Sequence, residues 1–254
     1  MAEQKQNSDA TLRIHVFDDP EEVARAVAGR FASIAHEATR ARGRFSVALA
    51  GGSTPRRVYE LLASSEWRSR VSWSQIHIFF GDERCVPPDH PESNYRMAQE
   101  SLLSHVPIPH AQVHRMRGEG DAPANARLYE QELRAFFDGL DWPRFDLIML
   151  GMGDDGHTAS LFPYTDALRE QTAWVVANPV GKLYTTRLTL TPPAINHAAH
   201  ILLTVTSTAK AQCLQQVIDG KPDPERLPAQ LIRPFDGLLE WFVDRAAATS
   251  LKTV

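Results

Sequence analysis

The stretch Phe145-Asp-Leu-Ile-Met-Leu-Gly-Met-Gly-Asp-Asp-Gly-His157-Thr-Ala-Ser-Leu-Phe-Pro163 decides how this chain folds. Its apolar run, Leu147 to Leu150, has no polar alternation and reads as a strand buried on both faces, the kind found in parallel sheets. Glycines follow at 151, 153 and 156. Past a buried strand they let the chain turn sharply and bring its backbone close to a ligand. His157 closes the turn, next to Asp154 and Asp155. In open α/β sheets ligands lie beyond the carboxyl ends of strands, so an acid–base group stands where a substrate belongs. Plainer readings compete. A histidine after a glycine turn can be purely structural, and Gly151-Met-Gly-Asp-Asp-Gly156 also has the G-x-G-x-x-G spacing of a dinucleotide fingerprint. That spacing is a weak signal by itself, and here it sits in mid-chain.

Upstream, Leu12 to Phe17 alternates at period two and reads as a strand, after a polar tail over residues 1–10 that is expected to be disordered. Asp19-Pro20-Glu21-Glu22 is a helix start, and Val23, Val27, Phe31, Ile34 and Ala38 form one apolar face that runs toward Gly43. Phe45 to Ala50 is a second strand. It enters Gly51-Gly52-Ser53-Thr54-Pro55, with Thr54 expected to cap the next helix. Strand, glycine turn and helix N-terminus together present free N–H groups and a positive dipole end, a site suited to phosphate or simply a tight turn. Ile76 to Phe80 is a third strand, ending in Gly81-Asp82-Glu83-Arg84, either a ligand-facing cluster or a solvated turn.

Ser93 or Asn94 starts a helix to about Ser104, and Asp121 caps another whose inner face is expected to carry Leu128, Tyr129, Leu133, Phe136 and Phe137. Ala173 to Ala177, Thr185 to Leu190, His200 to Thr206 and Leu238 to Val243 read as further strands, with a short helix over Ala194 to His197 and a tail from Arg245. Lys210 falls in the first turn of a helix reaching about Asp219, a position unfavourable to a cation unless an anion lies near. Strands and helices alternate through most of the chain. The expected fold is α/β, a Rossmann-like three-layer α/β/α arrangement on a mainly parallel sheet, with room for a small extra lobe from the middle. Residues 11–250 are expected to form a single domain.

The 254 residues carry a net charge of -4, which offers no surface for nucleic acid. No apolar run approaches the roughly 20 residues of a membrane helix, and no signal peptide is visible. Two cysteines, Cys85 and Cys213, make neither a disulfide framework nor a metal site, so a reducing cytoplasm is the expected setting. Nothing demands an oligomer, and a monomer is expected.

Three strings stand together: Ala50-Gly-Gly-Ser-Thr-Pro55; Gly81-Asp-Glu-Arg84 with Ser93-Asn-Tyr-Arg96; and Gly151 to Pro163, followed by Arg187-Leu-Thr-Leu-Thr191. With these the chain resembles the 6-phosphogluconolactonases, from roughly the first helix to the last strand. The resemblance implies hydrolysis of 6-phospho-D-glucono-1,5-lactone without cofactor or metal. It makes His157 the base and lines a phosphosugar site with Gly51, Gly52, Ser53, Thr54, Arg84, Arg187 and Lys210. Asp82 or Asp155 can orient the imidazole or hold the water. One departure is Ser207, where the family usually has glycine, three residues before Lys210.

The chemistry of the residues agrees. A lactone is an activated ester, and a neutral imidazole, with a pKa ordinarily near 6.5, is suited to take a proton from water. Glycine-turn N–H groups or an arginine can receive the oxyanion. The nearest alternative is the sister family of glucosamine-6-phosphate deaminases. These resemble Gly-His-x-Ala-x-x-Glu after the turn and tend to have tyrosine where Arg84 stands, whereas here the first carboxylate after His157 is Asp166. A sugar-phosphate sensor on this fold would carry an N-terminal helix-turn-helix module, and only about ten polar residues precede the first strand.

Overall fold

The computed structural model describes residues 13–183 and 185–252; the expected tail over residues 1–10 lies outside the described residues. In chain order the strands are β1 (Arg13–Phe17), β2 (Phe45–Leu49), β3 (Ile76–Phe80), β4 (Asp82–Arg84), β5 (Leu147–Gly151), β6 (Val175–Val180), β7 (Thr185–Leu190), β8 (His200–Val205) and β9 (Leu238–Asp244). The helices are α1 (Pro20–Arg42), α2 (Ser53–Ala63), α3 (Ser65–Arg68), α4 (Asn94–Ser101), α5 (Ala122–Phe136), α6 (Pro192–Asn196), α7 (Ala211–Asp219) and α8 (Arg245–Ala248).

Six strands form a sheet in the order β1-β9-β8-β5-β2-β3, every pairing parallel, flanked by helices as the alternation predicts. Leu147 to Leu150 lie at its centre, almost wholly buried between layers, which explains why they carry no polar alternation. From β2 the chain moves outward to β3, whereas from β5 it moves the other way, to β8 and β9. The crevice between β2 and β5 is therefore a topological switch point, the place where α/β sheets bind ligands.

The smaller sheet, β4-β7-β6, is antiparallel and is the lobe foreseen from the middle of the chain. Its first strand follows β3 with only Gly81 between, and the Leu190 N–H donates to the Gly81 carbonyl at 2.8 Å. The second sheet is thereby fastened at the carboxyl end of β3, above the switch point.

Local signals hold where they are strong. Asp19 accepts from the Glu22 N–H at 2.9 Å, and Gly43, at φ 73°, ends α1. Elsewhere tertiary context overrides them. Thr54 is not a cap: α2 already begins at Ser53, Gly52 occupies the cap position without a side-chain bond, and the Thr54 hydroxyl instead meets that of Thr206 at 3.0 Å. Leu128 is not on the inner face of α5; it is exposed, and Asn125, Ala126, Tyr129 and Leu133 are buried there. The short helix after β7 opens at Pro192 because Thr191 caps it and the two prolines suit its first turn. The segment after Arg245 is not all tail: Asp244 accepts from the Ala247 N–H at 2.7 Å and starts α8.

Candidate active site

The carboxyl ends of the three central strands meet around one cleft of about 280 Å³. From β2 comes the turn Gly51-Gly52-Ser53-Thr54, from β5 the loop with Gly151, Gly153 and His157, and from β8 the segment leading to Lys210. Asp82 and Arg84 of β4 close the side. Gly51, Gly52, Ser53, Thr54, Asp82, Arg84, His157 and Lys210 all line it. Asp155 and Arg187 do not; Asp155 meets His157 Nδ1, and Arg187 lies opposite Arg84 on the neighbouring strand. A larger hollow, of about 650 Å³, borders Asp155 and Phe162, but neither His157 nor the Gly51–Thr54 turn lines it.

The turn after β2 is held by a residue the sequence did not single out. The buried Tyr59 hydroxyl donates to the Ala50 carbonyl at 2.8 Å and accepts from the Ala50 N–H at 3.0 Å. Gly52 adopts φ 105°, so the chain passes straight from strand to helix. With no side-chain cap, the first N–H groups of α2 and the positive end of its dipole remain available to an anion in the cleft.

The loop after β5 folds back on itself: the Gly153 N–H donates to the His157 carbonyl at 2.9 Å. A Cβ on Gly153 would come within 2.2 Å of the imidazole, so glycine is what lets the ring lie against the loop backbone. Phe162 stacks on the ring with centroids 4.2 Å apart. Of the two candidate aspartates it is Asp155 that meets the ring, its Oδ1 lying 2.5 Å from His157 Nδ1. A neutral ring with its proton on Nδ1 leaves Nε2 as the lone pair. Burial pushes the His157 pKa down to about 4; Lys210 and Arg187 act in the same sense, while Asp82 and Asp154 oppose it. At neutral pH the imidazole is therefore uncharged and able to accept a proton.

Strand β4 alternates as strands do. Asp82 and Arg84 line the cleft, while Glu83, 2% exposed, turns the other way and accepts the Asn94 and Tyr95 N–H groups of α4 at 2.7 and 2.8 Å. Glu83 is thus neither solvated nor a ligand group; it anchors α4. Burial raises its pKa, although these N–H bonds pull the other way. Across the ladder Arg84 pairs with Arg187, two like charges directly opposite on one face. Arg187 is held below its ordinary pKa by burial and by Arg84. The Nε atoms of both are buried and, among the described residues, have no hydrogen-bond partner. Such a pair is costly unless an anion sits between the two.

Lys210 Nζ donates to the Met152 carbonyl at 2.5 Å, which fixes the lysine against the glycine loop, and burial lowers its pKa. Among the described residues no group of three or more His, Cys, Asp or Glu is disposed to hold a metal.

Residues 18–241 match the family described as glucosamine-6-phosphate isomerases/6-phosphogluconolactonase. A 6-phosphogluconolactonase of Synechocystis sp. is 43% identical over 215 residues, covering 83% of this chain and 86% of that one. The solved 6-phosphogluconolactonase of Trypanosoma cruzi superposes with a TM-score of 0.84 at 30% identity, covering 98% and 100% of the two chains. A monomeric glucosamine-6-phosphate deaminase shares the fold, with a TM-score of 0.79 at 22% identity over 94% of this chain and 99% of that one.

Proposed function

The chain belongs to the glucosamine-6-phosphate isomerase/6-phosphogluconolactonase family, and from that premise we propose that it hydrolyses 6-phospho-D-glucono-1,5-lactone to 6-phospho-D-gluconate in the oxidative pentose phosphate pathway. The observation that carries this reading is the convergence of a neutral imidazole bonded to Asp155 with an uncapped helix start, Arg84 and Lys210 around one cleft, with Arg187 opposite Arg84 on the neighbouring strand.

In this reading the uncapped turn Gly51–Thr54, Arg84, Arg187 and Lys210 hold the phosphate and fix the sugar ring. His157 Nε2 takes a proton from water as the oxygen attacks C1 of the lactone. Charge developing on the carbonyl oxygen is met by backbone N–H groups of the glycine turns or by an arginine. The imidazolium, favoured by Asp82, Asp154 and Asp155, returns its proton to the ring oxygen as the C1–O bond breaks. The acid product then ionises. No step calls for a cofactor or a metal.

The sister reaction, deamination with isomerisation, requires a further carboxylate to relay protons. Asp166, the first carboxylate after His157, has a side chain 97% exposed and paired with Arg169, away from the cleft. This favours the lactonase. We take residues 11–250 as one domain, supported by a continuous apolar core, and the enzyme as a cytoplasmic monomer whose two free cysteines suit a reducing setting. Among the described residues no helix is long and apolar enough to cross a membrane.

The test is the hydrolysis of freshly made lactone, coupled to excess 6-phosphogluconate dehydrogenase and read above the spontaneous rate. Wild type is expected to accelerate it and His157→Ala to lose at least roughly a hundredfold of that acceleration. Equal rates for both would remove His157 as the base. No acceleration, with ammonia released from glucosamine 6-phosphate instead, would move the assignment to the sister chemistry.

A further inference from the structure

Asp82 is held from two directions. Its Oδ2 accepts from the Ser160 hydroxyl at 2.6 Å, and its Oδ1 from the Asn94 side-chain amide at 3.3 Å. The same amide donates to the Asp82 backbone carbonyl at 2.9 Å. All three side chains are buried, Asn94 and Ser160 at 2% exposure and Asp82 at 7%. Each carboxylate oxygen therefore has its own donor, and the group cannot rotate without leaving a buried donor unpaired.

The two holders are themselves tied down. The Ser160 N–H donates to Thr189 Oγ1 at 3.3 Å, and its carbonyl accepts from Asn178 at 2.9 Å. Asn94 opens α4, with its N–H on the Glu83 carboxylate. Each also reaches a second part of the site. Ser160 lies three residues after His157 on the same loop, so its bond couples Asp82 to the segment that carries the imidazole. Asn94 Oδ1 rests on Gly51, where a Cβ would meet it at 2.1 Å, so the amide packs against the turn after β2. Ala159, beside Ser160, is held at φ 48°, a left-handed conformation that a non-glycine residue keeps only when its surroundings impose it.

We infer that Asn94 and Ser160 are positioning residues that aim the Asp82 carboxylate at the imidazole and water of the reacting centre. The inference rests on the lactonase reading of the cleft. Neither residue touches the reacting atoms; their effect on kcat passes through Asp82. Ser160 sets the carboxylate relative to His157, and Asn94 sets it relative to the Gly51 turn.

The experiment is a pair of double-mutant cycles on lactone hydrolysis, with kcat and KM expressed per folded molecule and thermal midpoints recorded for every variant. Ser160→Ala is expected to lower kcat by roughly tenfold to a hundredfold, the scale of a misplaced catalytic group, with KM changed less than about threefold because the phosphate contacts remain. Asn94→Ala is expected to lower kcat similarly and also to raise KM, since it loosens the turn. In an Asp82→Asn background each further substitution is expected to change kcat by less than about twofold, because nothing remains to be aimed. Losses that multiply independently of Asp82, or a Ser160→Ala effect confined to KM, would overturn the inference while leaving the lactonase reading intact. If Ser160→Ala does not fold, the Asn94 cycle decides by the same criterion. A wild type without lactonase activity would overturn the reading of the site and this inference together.

Discussion

At the scale of the residue, the proposed chemistry turns on the charge state of His157. Burial favours the neutral ring and holds its pKa near 4, below the usual histidine value. A base must be unprotonated, so activity is complete above that pKa and is lost as pH falls through it. The acid limb of kcat/KM is therefore expected well below pH 6.5. Lys210→Met removes a cation that disfavours imidazolium and should move this limb to higher pH; Asp82→Asn should move it lower. The check is a pH–rate profile of each variant. A limb at the ordinary histidine value that ignores both substitutions would assign the titrating group elsewhere.

At the scale of the element, the turn that leads from β8 into α7 carries visible strain. Ser207 adopts φ 91° and ψ 138°, a conformation natural to glycine. It is imposed from outside: the Asp244 carboxylate at the end of β9 accepts the Ser207 N–H at 3.0 and 3.1 Å. The turn so formed delivers Lys210 to the cleft despite the serine, so the departure from the family pattern leaves the lysine in place. Ser207→Gly should relieve the strain, offset in part by a more flexible unfolded chain, for a net gain of about 1 kcal/mol. At this chain length that is a rise of about 2–4 °C in thermal midpoint, with activity retained. A fall would mean that the hydroxyl's bond with the Ala209 N–H, at 3.3 Å, outweighs the strain.

At the scale of the whole molecule, three half-buried histidines contribute to how stability depends on pH. His77, His157 and His200 all have pKa values lowered first by burial, His77 to about 4. His77 stacks near His114, whose Nε2 lies 3.2 Å from its Nδ1, and Arg44 also disfavours its cation. The folded state binds fewer protons than the unfolded chain between the two pKa values. Stability from these groups is thus fully present above about pH 6.5 and declines as pH falls toward 4. The thermal midpoint is expected to drop between pH 7 and 5, and to drop less steeply in His77→Gln. Parallel slopes for the two proteins would show that His77 does not contribute.

Much of this architecture is readable from short-range pattern. Leu147 to Leu150 announce a strand buried on both faces, Asp19 and Gly43 bracket α1, and the glycines at 51, 52, 151 and 153 mark the turns that face the cleft. These signals act within a few residues, so the chain alone determined the parallel α/β plan and which strand ends border the cleft. What only the tertiary structure decided depends on partners distant in sequence. Glu83 reads as a solvated charge until α4 places its N–H groups on it, and Thr54 reads as a cap until Thr206 arrives. Leu128 has the right spacing for an inner face but no layer to cover it. Between Asp82 and Asp155 the choice fell to loop closure: the Gly153–His157 bond sets Asp155 on Nδ1, while Ser160 and Asn94 claim Asp82. Periodicity and turn chemistry are local and survive in the sequence; the aim of a polar side chain is set by where the whole sheet brings its partners.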